Sequence, residues 1–182
     1  MQEIVNWTIK TIRETKNTDS SWLEENKFEW VPHAISCIKN MINKNYSVLI
    51  ITDESTEWFK KYILSNINKN TQQRPLLPFY DFAAMYQHIN KTNEIEDMKL
   101  IEDMLNTSFP NGYLFWYIGD GKNPKSALAK FHAESFLWLI DDEANSAISL
   151  QSDDENLDIK LIQLFDLYNK TIDGVLYGKL LL

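Results

Sequence analysis

The sequence predicts an α/β protein built on a parallel sheet with helices on both sides. Three observations carry this. Apolar runs of strand length alternate with segments of helical periodicity, the order that gives βαβ units joined by right-handed crossovers. The strands, of which Val48-Leu49-Ile50-Ile51 is the plainest, have no polar face, as expected when helices cover both sides of a sheet. No internal repeat and no linker-like stretch interrupts the 182 residues, so the whole chain, 1–182, reads as one domain.

The first helix spans 2–16, with Ile4 or Val5, Trp7 or Thr8, and Ile12 near one face. A shorter aromatic-rich segment follows at 20–30. Pro32 then opens a helix to about residue 44, because proline in a first turn loses no hydrogen bond. The first strand is 47–52. In the helix from 55 to 66 behind it, Trp58, Phe59, Tyr62 and Ile63 recur at helical spacing. A polar loop, "NKNTQQ", leads into "RPLLPFYDF", 74–82, a second strand with its prolines near the ends. Asn93 and Glu96 resemble a capping box, and Ile95, Met98, Ile101 and Leu105 form the stripe of the helix behind it. "YLFWYIG", 113–119, is the third strand, and a short helix near 124–131 leads to the fourth, "SFLWLI", 135–140. "SAISL", 146–150, fits a fifth strand, and the last helix covers about 155–177.

Composition narrows the function classes. With 44% hydrophobic and 13% aromatic residues, a chain of this length buries roughly 70% of its unfolded surface, so its fold calls for no metal or disulfide. The single cysteine, Cys37, lies among Ile35, Ile38 and Met41 on a helical face and reads as a buried, inert thiol. A net charge of −8 opposes the approach of a polyanion, which argues against direct nucleic-acid binding. The pair Lys60-Lys61 reads as a solvated helix face. There is no signal-like N-terminus and no apolar run long enough to cross a bilayer, so a cytoplasmic protein without a membrane partner is expected.

In open parallel sheets, ligands sit at the carboxyl ends of the strands, where helix N-termini offer free N–H groups. Thr52-Asp53-Glu54-Ser55-Thr56 stands at that position, with no glycine and two carboxylates. Asp53 and Glu54 would satisfy the donors there and repel a second anion. Only the hydroxyls of Ser55 and Thr56 remain for a ligand. Gly119-Asp120-Gly121-Lys122 lacks the third glycine of a dinucleotide loop and the spacing of a P-loop, and a tight turn accounts for it. His33, His88 and His132 are scattered and form no metal spacing with Cys37, and there is no G-x-S-x-G. No catalytic, cofactor-binding or metal-ligating residue is therefore assigned. The runs Asp141-Asp142-Glu143 and Asp153-Asp154-Glu155 read as helix capping or solvated carboxylates.

The last helix has more apolar surface than one sheet needs. Leu161, Leu164, Phe165, Tyr168 and Ile172 make one face, and Ile162, Leu167, Leu176 and Tyr177 carry apolar character around it. Trp22, Phe28 and Trp30 add aromatics outside the sheet. Thick core packing and a subunit or partner interface both account for these residues. Under the second reading the interface candidates are Trp22, Phe28, Trp30, Tyr168 and Ile172.

Five blocks carry a family resemblance: "SSWLEEN" (20–26), "WFKKYILSNIN" (58–68), "RPLL" (74–77) with "DF" (81–82), "SFLWL" (135–139) and "LIQLF…VLY" (161–177). They fall in order from end to end, and together they resemble the HobA family, small bacterial factors that associate with the replication initiator DnaA. The resemblance implies a three-layer α/β/α sandwich with a five-stranded parallel sheet, of the sugar isomerase (SIS)-like kind and related to DiaA. It also implies a homotetramer that binds the N-terminal domain of DnaA without catalysis and promotes DnaA assembly at the origin. In catalytic SIS proteins a loop rich in glycine and serine grips a phosphosugar after the first strand. "TDESTE" stands there in this chain, so no catalytic residue carries over. The alternative is a phosphosugar-binding or isomerising SIS-type enzyme using Ser55, Thr56 and the 119–122 turn.

Overall fold

The computed structural model describes residues 2–15, 20–69, 74–86, 95–144 and 147–182. Five parallel strands form its centre: β1 (Ser47–Thr52), β2 (Phe79–Asp81), β3 (Tyr113–Asp120), β4 (Ser135–Ile140) and β5 (Ala147–Leu150). Their spatial order is β2-β1-β3-β4-β5, the doubly wound arrangement in which the chain changes direction between β1 and β3. In register, Ile50 lies opposite Trp116 and Ile118 opposite Trp138.

Side chains alternate across this sheet, and the alternation sorts the helices into two layers. Val48, Ile50, Trp116, Ile118 and Trp138 face one side, where α1 (Gln2–Glu14), α2 (Ser21–Glu25), α3 (Lys27–Asn43), α4 (Glu57–Ile67) and α8 (Leu157–Leu176) pack. Leu49, Ile51, Phe115, Tyr117 and Leu139 face the other, against α5 (Phe82–Met85), α6 (Ile95–Ser108) and α7 (Lys125–Phe131). Full burial of one such side chain stabilises the fold by about 1.5–3 kcal/mol. Among the described residues, no helix is long and apolar enough to cross a membrane.

Strands β1 and β4 have the limits expected from the sequence, and other elements differ for local reasons. Helix α3 begins at Lys27, so Pro32 lies inside it. The ring removes the N–H that would reach the carbonyl of Phe28, which sits at the exposed end of the helix. Strand β2 is only Phe79–Asp81, because Pro75 and Pro78 lack ladder donors and pairing starts after them. The Pro78 carbonyl still accepts from the Val48 N–H at 2.8 Å. Helix α4 starts at Glu57 and not at Ser55, since Asp53 draws both Ser55 and Thr56 into a turn. Asn93 of the expected capping box, residue 146 of the expected fifth strand, and part of the 68–73 loop lie outside the described residues.

Most of the apolar surplus of α8 is absorbed within the chain, although Ile162 and Leu176 are half-buried and Ile159 and Tyr177 are exposed. Leu161, Leu164, Phe165, Leu167, Tyr168 and Ile172 are all buried. Trp7 of α1 lies on Gly174, where an added Cβ would come within 2.8 Å of its ring. From α2, the Trp22 indole N–H donates to Gln163 Oε1 at 2.6 Å. Arg74 fastens the approach to β2 onto the same helix, donating to Asp173 Oδ1 and Asn169 Oδ1 at 2.5 and 2.6 Å.

Candidate functional site

The topology places the crevice of a doubly wound sheet at the carboxyl ends of β1 and β3. The residues there are Asp53 to Thr56 and Gly119 to Lys122, so the two loops singled out in the sequence meet. Asp53 holds them together. Its side chain is buried, 4% exposed, and Oδ1 accepts from the Ser55 N–H at 2.9 Å, the Ser55 hydroxyl at 2.7 Å and the Thr56 N–H at 3.0 Å. Oδ2 accepts from the Asp120 N–H at 2.6 Å. The Thr56 hydroxyl lies 3.0 Å from Oδ1 and donates to the Ile118 carbonyl at 2.7 Å.

Burial by itself would raise the pKa of Asp53. The hydrogen bonds from Asp120, Ser55 and Thr56 together outweigh it and hold the carboxyl below its ordinary value. Gly119, at φ +151°, permits this approach, since a Cβ there would stand 2.5 Å from Asp53 Oδ2. The rest of the turn is used internally as well. The Gly121 N–H donates to the Ile140 carbonyl at 3.0 Å, and the Lys122 N–H to Asp120 Oδ1 at 2.8 Å. Gly121 is required for space, because a Cβ would lie 2.2 Å from Asp142. Glu54 pairs with Lys125 Nζ at 2.8 Å. The N–H groups of Ser55, Thr56, Asp120 and Lys122 thus already serve the protein's own carboxylates, and that of Gly121 serves the Ile140 carbonyl.

A second polar cluster beside the crevice was not legible in the sequence. Lys60, expected on a solvated face, is 3% exposed. Its ammonium lies 2.9 Å from Glu57 Oε2 and 3.0 Å from Asp81 Oδ1. Asp81 also accepts from the Ala83 N–H and caps α5. Burial would lower the Lys60 pKa, and the two carboxylates outweigh it and raise it above the ordinary value. The i,i+3 spacing of Glu57 and Lys60 was a signal for one of these contacts, and Asp81 becomes a neighbour only through β1–β2 pairing.

Among the described residues no group of three or more His, Cys, Asp or Glu is placed to hold a metal ion. His88 lies outside the described residues. His132 stacks on Tyr113 at 4.8 Å, and burial lowers its pKa. Cys37 is buried with Sγ 3.0 Å from the Tyr168 hydroxyl, and burial pushes its thiol up to about 12. The acidic runs are local fixtures: Asp141 accepts from the Ser152 N–H, Asp142 pairs with Lys130, and Asp154 pairs with Lys160 and accepts from the Asn156 N–H.

The interface candidates divide. Trp30, Tyr168 and Ile172 are core residues, between 0% and 1% exposed, and present no surface. The apolar excess that suggested them is met by α1 and the sheet. Trp22 is half-buried, with Lys160 Nζ 5.1 Å from its ring centre. Phe28 is 67% exposed, with Lys27 over its ring at 4.6 Å. The sequence reading missed Leu100 and Met104, which lie four residues apart on the outside of α6 while Met98, Ile101 and Leu105 fill its inner stripe. Their spacing off that stripe was the available signal.

A five-stranded parallel sheet between two helical layers, with hydrogen-bonded carboxylates in its strand-end crevice, defines the class: a doubly wound α/β protein. Comparison with known proteins goes further. The family model described as HobA, DNA replication regulator, matches residues 1–182. The chain is 31% identical over 188 residues to the DNA replication regulator protein HobA of Helicobacter pylori (strain ATCC 700392 / 26695), covering 100% of both. Its fold is similar to the crystal structure of a HobA-DnaA (domain I-II) complex from H. pylori, with a TM-score of 0.78 and 30% identity over 100% of both chains. It is also similar to a crystal structure of H. pylori HobA, with a TM-score of 0.71 and 27% identity over 97% and 98% of the two chains. The chain belongs to the HobA family of DNA replication regulators.

Proposed function

We propose that this chain is a non-enzymatic regulator of chromosomal replication initiation that binds the N-terminal domain of DnaA in the cytoplasm. Acting as one domain and assembled as a homotetramer, it holds several initiators together at the origin. The observation that carries this reading is the full-length likeness to HobA captured with DnaA domain I-II. The Asp53 network supports it, because in the crevice that serves an SIS enzyme the Ser55, Thr56 and Asp120 N–H groups are engaged by the Asp53 carboxylate. A tetramer presenting repeated docking sites converts weak single contacts into avidity when linked initiators occupy neighbouring positions on DNA.

Titrating DnaA domain I-II into the purified chain by calorimetry tests the contact, and light scattering tests the assembly. Saturable binding, together with a particle about four times the 21.4 kDa protomer, is the expected result. A lone protomer at micromolar concentration would remove the scaffold mechanism, and no heat of binding would remove the partner. A screen of sugar phosphates by thermal shift addresses the enzymatic alternative, since a ligand at 100 times its dissociation constant adds about 2.7 kcal/mol of stability.

A further inference from the structure

The sheet has two edges, and they are finished differently. On the β2 side, pairing is limited to Phe79–Asp81, Pro75 and Pro78 stand at its approach, and the Phe79 N–H turns onto the Leu77 carbonyl at 3.0 Å. Short length and proline are the usual devices against edge-to-edge pairing. On the β5 side there is no proline anywhere from residue 141 to residue 182.

The outward main chain of β5 can be assigned residue by residue. The Asp141 N–H donates to the Leu150 carbonyl at 3.0 Å, so the main-chain groups of Leu150 point toward β4. Successive residues of a strand direct these groups to opposite sides, which turns the N–H and C=O of Ser149 outward. Among the described residues neither meets a hydrogen-bond partner. Beside them lies a cavity of about 510 Å³ bounded by Glu29, His33, Glu143, Ala144, Ala147 and Ser149. Only residues 141–146 connect β4 to β5, fewer than the dozen or so of an ordinary parallel crossover. Ala147 is buried and its N–H donates to the Ala144 carbonyl at 3.1 Å, while Ser149 is half-buried, so the outward groups open to a partner are those of Ser149.

Charge selects the occupant. Glu29 and Glu143 are exposed, and neither forms a salt bridge among the described residues. A second copy pairing edge to edge would bring two sets of these carboxylates together, against a chain charge of −8. An extended segment with basic side chains would neutralise them while its main chain completes the ladder. We propose that the β5 edge is a strand-addition site for an extended, basic peptide segment, seated beside Ser149 between Glu29 and Glu143. This inference stands apart from the DnaA reading, and either can fail without the other.

The test uses the full chain and a short fluorescent peptide of alternating Lys and Val, followed by anisotropy. A matched peptide with alternate amides N-methylated cannot pair along an edge. Ser149→Pro removes an outward N–H that the fold does not use, and Glu29→Lys with Glu143→Lys reverses the flanking charge. Saturable binding is expected, weakened about tenfold or more, the worth of roughly one lost hydrogen bond at this site, by N-methylation and by Ser149→Pro. Charge reversal should weaken binding and flatten its salt dependence. The proposal is overturned if the N-methylated peptide binds as well as its parent, or if the parent fails to saturate at millimolar concentration. A fall in particle mass on Ser149→Pro without peptide would show a second copy on the edge and also overturn it. Should Ser149→Pro not fold, the N-methylated peptide still decides.

Discussion

The two sides of the sheet use their apolar residues in different ways. On the side of α1, α3, α4 and α8, the large rings of Phe59, Trp116, Phe136, Trp138, Phe165 and Tyr168 are buried and pack on one another, with Trp116 and Trp138 centred 5.0 Å apart, and Trp30 is buried as well. On the side of α5, α6 and α7, Leu100, Met104 and Phe131 remain in solvent. Most of the aromatic excess on the first side is spent on the interior. Exposed apolar residues occur on both layers, since Phe28, Trp58 and Ile159 lie on α3, α4 and α8. What distinguishes the two sides is the density of buried rings, not the presence of apolar surface.

That contrast can be broken by experiment. Trp138→Ala, which empties the middle of the aromatic side, should cost about 3–5 kcal/mol, read as a fall in Tm or in the urea midpoint. Leu105→Ala on the other side should cost less, about 2–3 kcal/mol. Equal losses would erase the distinction between the two layers. Asp53→Asn removes the charge on which the crevice donors converge and should cost about 1–3 kcal/mol at neutral pH. Because the Asp53 carboxyl is held low in the folded state, its contribution is full above the unfolded value of about 3.9. It is lost as pH falls through the lower folded value. The stability curves of Asp53→Asn and the parent should therefore converge at acid pH, and curves that stay parallel would refute the assignment. Smallest of all, Leu100→Ser should change stability by less than about 0.5 kcal/mol, and a larger loss would place that side chain in a core.

Much of this architecture could be read from the residues. Val48 to Ile51 and Phe136 to Ile140 announce buried strands because both faces are apolar, and the limits of β1 and β4 agree with the reading. The carboxylate plug was also legible, since Asp53 lacks a glycine neighbour and follows a strand directly. What resisted reading depends on partners distant in the chain. Lys60 sits beside an exposed lysine, and only the pairing of β1 with β2 brings Asp81 to its ammonium. Tyr168 and Ile172 looked surplus because their covering residues, among them Cys37 and the rings of β3 and β4, lie far away in sequence. The start of α3 was misplaced because Pro32 is a good first-turn residue, and Lys27 to Val31 carry no comparable signal.

The edge-to-face pair of Trp116 and Trp138 has an optical consequence. Two indoles 5.0 Å apart at an interplanar angle of 71° are placed to couple their transitions, so a signed couplet in the aromatic circular dichroism is the expected outcome, checked by its loss in Trp138→Phe. Each ring belongs to a different strand, so the couplet depends on the slip between β3 and β4 and should vanish when packing loosens even where the backbone signal survives. The protein thus carries its own gauge of strand alignment, readable without any label.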